Sequence, residues 1–322
     1  MKLTRRALLA GSVAAATASL VPAKKAEAAI SDDSYATLID LERCDGCSDR
    51  PLPACVTACR ETNAARFPEP DPAMLKPYWP RDTYEDWSSK RDVTDRLTPY
   101  NWTFVQKAEV EHDGERRTVH IPRRCMHCDN PPCAKLCPFG IKHKNPDGIV
   151  TINVDLCFGG AKCRDVCPWQ VPQRQAGVGL YTYLDPLPIG GGAMFKCDLC
   201  RDRLHGGLTP GCIPACPKQA LSIGARAEIF ARADELAKQY GGHLYGKEEN
   251  GGTSTIYVSR TPFETINAAL TAGKEPGKVM PLHRPDNMLD QRKGWAWAAL
   301  AAPVIGAVTA FVATARAKEE KT

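Results

Sequence analysis

The 322-residue sequence shows no arrangement of residues that would transform a substrate. No Ser/His/Asp combination, phosphate-binding loop or dinucleotide fingerprint is present. The run Gly190-Gly191-Gly192 lacks the strand and helix setting that such a fingerprint requires and is predicted to be a flexible turn before Cys197. A self-contained redox enzyme is therefore disfavoured, and a non-catalytic subunit is favoured.

The sequence also has little net charge. The formal charge is +5. Because residues 1–28 contribute +4 of this, the rest of the chain carries only +1. Near neutrality removes the case for a nucleic-acid-binding surface.

Uncharged runs long enough to span a membrane are equally scarce, with one exception near the C-terminus. Residues 294–315 carry no charge and would span about 33 Å as a helix. Trp295 and Trp297 lie where interfacial aromatic residues belong. We expect a C-terminal transmembrane helix, preceded by a linker over 281–293 and followed by a cytoplasmic tail over 316–322. The alternative is a buried core helix.

The N-terminus carries twin arginines, Arg5 and Arg6, before a short apolar run and an Ala-x-Ala site ending at Ala28. This pattern predicts a Tat export signal over residues 1–28 rather than a membrane span; the alternative is an uncleaved amphipathic anchor. Tat substrates fold around their cofactors before export, so thiols can bind metal in the reducing cytoplasm. The signal predicts a body on the periplasmic side of the cytoplasmic membrane, anchored there by the C-terminal helix.

Fifteen cysteines fall into four short groups. The groups are Cys44, Cys47, Cys55 and Cys59; Cys125, Cys128, Cys133 and Cys137; Cys157, Cys163 and Cys167; and Cys197, Cys200, Cys212 and Cys216. Three groups end in Cys-Pro, as bacterial ferredoxins do. In those proteins three closely spaced cysteines hold one cluster, and the cysteine before Pro ligates the other cluster. Four groups predict two ferredoxin-like pairs and four iron-sulfur clusters.

Other uses of cysteine fit this spacing poorly. A zinc ribbon needs two Cys-x-x-Cys pairs roughly 15 to 20 residues apart, whereas only four residues separate Cys128 from Cys133. The odd number of cysteines and the chain length argue against a disulfide framework. No Cys-x-x-Cys pair is followed by His, so attached haem is not expected.

The third group lacks one ligand. Four 4Fe-4S clusters need sixteen cysteines, and Gly160 stands where the second ligand of this group would be. We therefore predict three 4Fe-4S clusters and one 3Fe-4S cluster. The alternative is a fourth iron held by water or by a carboxylate such as Asp155 or Asp165.

Two further residues lie inside the cysteine motifs. His127 is predicted to make an outer hydrogen bond or to lie at the surface rather than to bind metal. Lys162, beside Cys163, either stabilises a reduced cluster or is an ordinary solvated lysine.

The segments between the cysteines predict an α+β fold, with a four-cluster domain over residues 29–280. An insertion over about 67–99 carries Tyr78, Trp79, Tyr84 and Trp87 and either contacts a partner or covers the protein's own clusters. The predicted elements are a hairpin (Thr103–Val110 and Thr118–Ile121), a turn and strand (Asp147–Val154), a strand (Ala220–Ile223), a helix (Glu228–Tyr240) and a strand (Thr255–Val258).

Three features carry a resemblance to a known family. They are the order of the four groups, the eleven residues between Cys200 and Cys212, and the sequence Cys125-Met126-His127-Cys128. The chain resembles the four-cluster iron-sulfur (beta) subunits of respiratory oxidoreductases. It is most similar to the subunit of membrane-bound nickel-iron hydrogenase (HybA type), then to the formate dehydrogenase beta subunit. The resemblance implies two interleaved bacterial-ferredoxin-like modules (2 x 4Fe-4S type). It departs from the family at Cys47 and Cys55, which are separated by seven residues where two are usual.

In that family groups one and four pair, and groups two and three pair. The implied ligands are Cys44, Cys47, Cys55 and Cys216 for cluster 1; Cys59, Cys197, Cys200 and Cys212 for cluster 2; Cys125, Cys128, Cys133 and Cys167 for cluster 3; and Cys137, Cys157 and Cys163 for cluster 4. Beta subunits of nitrate reductase also lose this one ligand and hold a 3Fe-4S centre there.

The resemblance further implies an electron-transfer subunit between an exported catalytic subunit and a multispan quinone-reactive membrane subunit. The expected catalytic partner is a nickel-iron hydrogenase. The alternative is a formate dehydrogenase or another molybdopterin oxidoreductase or terminal reductase. The lipid bilayer is a further expected partner, and nucleic acid is not.

Overall fold

The computed structural model describes residues 31–77, 82–184, 190–272 and 279–291 and has an α+β fold. In these ranges the strands are β1 (Tyr35–Asp40), β2 (Phe104–His112), β3 (Glu115–Arg123), β4 (Lys142–Lys144), β5 (Val150–Ile152), β6 (Gln173–Gln175), β7 (Ala193–Phe195), β8 (Leu221–Ala225), β9 (His243–Tyr245) and β10 (Thr255–Ser259). The α-helices are α1 (Ala54–Asn63), α2 (Pro132–Lys135), α3 (Lys162–Asp165), α4 (Arg201–His205), α5 (Arg226–Tyr240), α6 (Phe263–Thr271) and α7 (Met288–Gln291).

A four-stranded sheet in the order β8-β1-β10-β9 organises the first and last parts of the chain. Strand β1 runs parallel to β10 and antiparallel to β8. Helix α5 packs on this sheet through Ile229 and Ala233, which are four residues apart and therefore lie on one face. The helix is followed by Gly241, whose φ of 59° is the left-handed conformation common after helices.

The elements predicted from alternating or helical apolar patterns are confirmed. The hairpin is β2 and β3, paired from Phe104↔Arg123 to His112↔Glu115. Its turn residues Asp113 and Gly114 both have positive φ, as a two-residue hairpin turn requires. The predicted strand after the fourth cysteine group is β8, the predicted helix is α5 and the later strand is β10. Strand β1 and helix α6 were not predicted, although β1 is buried along nearly its whole length and α6 buries Phe263, Ile266 and Leu270.

The predicted signal over 1–28, the membrane helix over 294–315 and the tail over 316–322 lie outside the described residues. In the part of the chain that the structure describes, no helix has the length and apolar character needed to cross a membrane. The predicted linker over 281–293 is described as far as residue 291 and includes α7.

The described part of the 67–99 insertion packs on the segment that follows the third cysteine group. The backbone N–H of Asp71 donates to the carbonyl of Gly177 at 2.9 Å, and that of Ala176 donates to the carbonyl of Glu85 at 2.8 Å. Of the aromatic residues noted in the sequence, Tyr78 and Trp79 lie outside the described residues. The described part of the insertion thus packs on the protein's own cysteine-bearing region, and contact with a partner stays a prediction.

Candidate metal centres

Sheet topology brings the first set of cysteines together. Cys44, Cys47, Cys55 and Cys216 line one cavity. Because β1 and β8 are antiparallel neighbours, the loop that leaves β1 and the loop that enters β8 meet at one end of the sheet. The seven-residue spacer that departs from the family pattern holds a turn and the start of α1, which carries Cys55 into this cavity.

Helix α1 also supplies the second set. Cys59 follows Cys55 by four residues on α1 and so lies one turn further along the same face. It lines a second cavity together with Cys197, Cys200 and Cys212. One helix therefore places a thiol in each of two adjoining sites, as an interleaved pair of clusters requires.

The third and fourth sets lie around the short helices α2 and α3, which pack on each other. The thiols close enough to Cys128 to raise its pKa, in addition to its burial, are those of Cys133, Cys167 and Cys125. Besides burial, those that raise the pKa of Cys163 are Cys157 and Cys137. The structure thus brings together the cysteines grouped as clusters 3 and 4, and ligation of iron by these sets stays a prediction.

The four sets form a row. The thiol of Cys212 in the second set is close enough to raise the pKa of Cys55 in the first. The thiol of Cys125 in the third set likewise raises the pKa of Cys197 in the second. The thiol of Cys163 in the fourth set raises the pKa of Cys133 in the third. A path from set one to set four therefore passes through sets two and three in order.

The chemistry of these sites fits iron-sulfur clusters. The only metal-ligating side chains in the lining of the second cavity, apart from Asp198, are four thiols, and thiolate is the ligand that such clusters take. Burial raises the pKa of Cys44, Cys167 and Cys197 to about 12. Because the ligand is the thiolate, metal binding must release protons at these sites. Among the described residues, no three His, Cys, Asp or Glu side chains are placed to hold a single metal ion.

Hydrogen bonds to sulfur come from residues that the sequence analysis did not single out. The side-chain amide of Asn250 donates to Cys128 Sγ at 3.2 Å. The backbone N–H of Leu199 donates to Cys197 Sγ at 3.4 Å, and that of Ala220 donates to Cys216 Sγ at 3.3 Å. Such bonds favour the more negative state of a cluster and raise its reduction potential. A lone asparagine far from the motifs gives no sequence signal for this role.

The fourth set has three thiols, and the loop that carries two of them has an open position. Gly159 has a φ of 67°, and a Cβ there would lie 2.5 Å from the carbonyl oxygen of Gly192, so only glycine fits. At Gly160, by contrast, an added Cβ would meet no atom within 4 Å. Of the two carboxylates considered as a fourth ligand, Asp155 is exposed and Asp165 is paired with Lys162 at 3.5 Å.

The two residues noted inside the motifs have defined surroundings. His127 is buried, its Nδ1 accepts a hydrogen bond from the backbone N–H of Val150 at 3.0 Å, and burial lowers its pKa. It therefore has the predicted outer hydrogen bond. The side chain of Lys162 is 67% exposed and paired with Asp165, which matches the solvated alternative.

Buried cations near the cysteines were missed by the sequence analysis. Arg124 is 2% exposed and lies near Cys197 and Cys212. Its Nη2 donates to Thr37 Oγ1 at 2.8 Å. Lys142 is 4% exposed and lies between the third and fourth sets. A single basic residue in a short strand is ordinarily solvated, so its burial is visible only in three dimensions.

Glu85 of the insertion holds the loop of the fourth set through two arginines. Its carboxylate accepts from Arg164 at 2.7 Å and from Arg174, and Arg174 also donates to the carbonyl of Gly159 at 3.0 Å. Although burial opposes it, the two guanidinium groups hold the pKa of Glu85 below its usual range. The insertion is thus tied to the loop that carries Gly160.

We expect Glu85→Gln to lower the free energy of unfolding by roughly 2 to 3 kcal/mol. This loss is smaller than for a fully buried ion pair, because Glu85 is partly exposed. It is larger than for an exposed pair, because the buried Arg174 would lose its carboxylate partner. Chemical denaturation followed by circular dichroism measures the change. Glu69→Gln, which breaks an exposed pair with Arg91, is the matched control and should cost under about 1 kcal/mol. Equal effects of the two substitutions would contradict the anchoring role.

The same cysteine motifs occur in known protein families. Models of the 4Fe-4S dicluster domain match residues 43–141 and 117–185. A protein of Nitratidesulfovibrio vulgaris is 34% identical over 265 residues, which are 81% of this chain and 62% of that relative. The hydrogenase-2 operon protein HybA of Escherichia coli O157:H7 is 30% identical over 269 residues, 73% of this chain and 72% of the relative. The iron-sulfur subunit of nitrate-inducible formate dehydrogenase of Escherichia coli K12 is 29% identical over 231 residues, 69% and 67% of the two chains.

Proposed function

The chain belongs to the family of iron-sulfur electron-transfer subunits of respiratory oxidoreductases, with multiple 4Fe-4S clusters, and from this premise we propose that it serves a nickel-iron hydrogenase. In this proposal it relays electrons between an exported hydrogenase and a multispan quinone-reactive membrane subunit. When bound, the clusters supply one-electron carriers along the row of four cysteine sets. The observation that carries the proposal is this row, in which each set adjoins the next.

The choice of hydrogenase is supported by the relative HybA, which aligns over 72% of its own length. The formate dehydrogenase subunit, at 29% identity, supports the second candidate, a molybdopterin partner. We further propose that residues 1–28 direct Tat export to the periplasmic side and that residues 294–315 anchor the chain in the membrane, as the sequence patterns predict.

We also propose that the fourth centre is a 3Fe-4S cluster held by Cys137, Cys157 and Cys163. Gly160 offers no side-chain ligand and is exposed, and Asp165 is engaged by Lys162. The other three sets have four thiols each and fit 4Fe-4S clusters.

Exposed apolar side chains beside set four support an orientation for the row. Phe139 is 58% exposed and stacks on Phe158 with ring centroids 4.5 Å apart. Leu136 directly precedes Cys137 and is 42% exposed, and Leu156 directly precedes Cys157 and is 47% exposed. Exposed apolar groups that cluster together are typical of docking surfaces. We place the membrane subunit at this end and the catalytic subunit at set one.

The test is purification of the tagged chain from detergent-solubilised membranes of the organism that encodes it. We expect a nickel-containing large subunit and an integral membrane subunit to co-purify. Phe139→Asp should reduce the recovered membrane subunit at least tenfold, about 1.4 kcal/mol of binding free energy, without changing the iron content. Leu208→Asp, which alters an equally exposed residue in the loop after α4, is the control.

A molybdopterin-containing partner in place of the nickel subunit would replace the hydrogenase by the second candidate. Loss of the catalytic subunit rather than the membrane subunit in Phe139→Asp would reverse the orientation. Recovery of the chain alone from wild-type membranes would contradict the role as a relay between subunits.

A further inference from the structure

We propose that Lys142 is a buried cation shared by the third and fourth cluster sites and that it raises the reduction potentials of both. The inference rests on the proposed function, because it assumes that clusters occupy these sets. It assigns a potential-setting residue that is not a ligand and lies in strand β4, outside all four cysteine motifs.

Strand pairing directs this side chain inward. Lys142 pairs with Ile152 of β5, and side chains two residues apart on a strand point to the same face. Lys142 and Lys144 therefore share the inner face, while His143 between them is exposed. Lys142 is 4% exposed, which is rare for lysine without a partner of opposite charge.

No oxygen or nitrogen acceptor satisfies the ammonium group of Lys142 within the described residues. Its Nζ is buried, and the one side chain within hydrogen-bonding reach that bears on it is the thiol of Cys163, a member of set four. The other buried or half-buried lysines nearby differ: Lys144 Nζ donates to the carbonyls of His127 at 3.1 Å and Gly148 at 2.8 Å, and Lys196 Nζ donates to that of Cys197 at 2.8 Å. An unpaired buried cation is costly, so its partner must be what the neighbouring cysteines hold.

Those neighbours belong to two sets. The thiols with the largest electrostatic effect on the ammonium group of Lys142 are Cys133, then Cys163, followed by Cys125 and Cys167. Cys163 belongs to set four, and the other three belong to set three.

The sign of the effect follows from charge. Each cluster gains one negative charge on reduction, and a fixed cation nearby stabilises the reduced form, most strongly where water is excluded. The cation stabilises the oxidised form of the cluster less than the reduced form, so the reduction potential rises. Because Lys142 lies between two sets, its removal should lower both potentials, whereas sets one and two should be unaffected.

The experiment is an EPR-monitored redox titration of the purified full chain in three variants. Lys142→Met removes the charge while keeping the length of the side chain, and Lys142→Arg keeps the charge. Lys162→Gln removes the exposed lysine beside Cys163 and is the matched control. We expect Lys142→Met to lower the equilibrium constant for reduction at least tenfold, about 59 mV for a one-electron couple, at the third and fourth clusters. Lys142→Arg and Lys162→Gln should stay within threefold of the wild type.

Unchanged potentials in Lys142→Met, with all clusters present, would overturn the inference and leave the proposed function standing. A fall of equal size in Lys162→Gln would also overturn it, because the effect would then be general surface charge. If Lys142→Met does not assemble clusters, Lys142→Gln supplies the same charge change with an amide that can donate hydrogen bonds. A wild-type chain without iron would instead overturn the proposed function.

Discussion

Gly160→Cys is expected to convert the fourth centre to a 4Fe-4S cluster. The iron content should rise from about fifteen to about sixteen per chain, and the EPR signal of the air-oxidised protein should disappear, because an oxidised 4Fe-4S cluster is silent. The structure permits the substitution, since a Cβ at this position meets no atom within 4 Å and the backbone is not in the left-handed region. Iron analysis and EPR of the purified variant measure both changes.

Gly160→Ala is the control for this substitution. It adds a Cβ in the same open space but no sulfur, so the oxidised signal and the iron content should match those of the wild type. If the wild-type chain already holds about sixteen irons and is silent when oxidised, the fourth iron has a non-cysteine ligand and the 3Fe-4S proposal is wrong.

Cys216→Ala is expected to remove the same cluster as Cys44→Ala, although the two residues are more than 170 positions apart in the chain. Both thiols line one cavity, and the thiol of Cys216 is close enough to Cys44 to contribute to its raised pKa. Each single variant should lose one cluster, leaving about eleven irons per chain, and electron transfer from the catalytic partner should fall below one hundredth of the wild-type rate. Iron analysis and dye-linked against quinone-linked turnover of the complex measure the two effects.

The double variant Cys44→Ala/Cys216→Ala decides whether the cysteine groups are interleaved. If one cluster uses both residues, the double variant should lose no more iron than either single variant. A loss of about eight irons would show that the two cysteines serve different clusters and would contradict the pairing of groups one and four.

The parts of the fold that could be predicted from the sequence are those with a strong local pattern. The hairpin of β2 and β3 alternates apolar and polar residues around Asp113-Gly114, and helix α5 has apolar residues spaced by four. Strand β1 has no alternation, because it is central in its sheet and buried along nearly its whole length. A short apolar run of that kind does not distinguish a strand from a helix.

The candidate site divides in the same way. The cysteines and Gly160 are visible because ligand spacing is a local property of the chain. Lys142, Arg124 and Asn250 are not, because their closeness to sulfur arises when distant segments pack together. From the sequence, Lys162 was either a tuning cation or an ordinary solvated lysine, and the structure shows that residue at the surface with a carboxylate partner.

In this proposal the chain holds a row of four iron-sulfur clusters. The most direct measurement is the iron, zinc and acid-labile sulfide content of the purified wild-type chain, together with EPR in the oxidised and reduced states. We expect about fifteen irons, no zinc, a sharp oxidised signal near the free-electron value and reduced signals from the remaining clusters. Stoichiometric zinc without acid-labile sulfide would contradict the account.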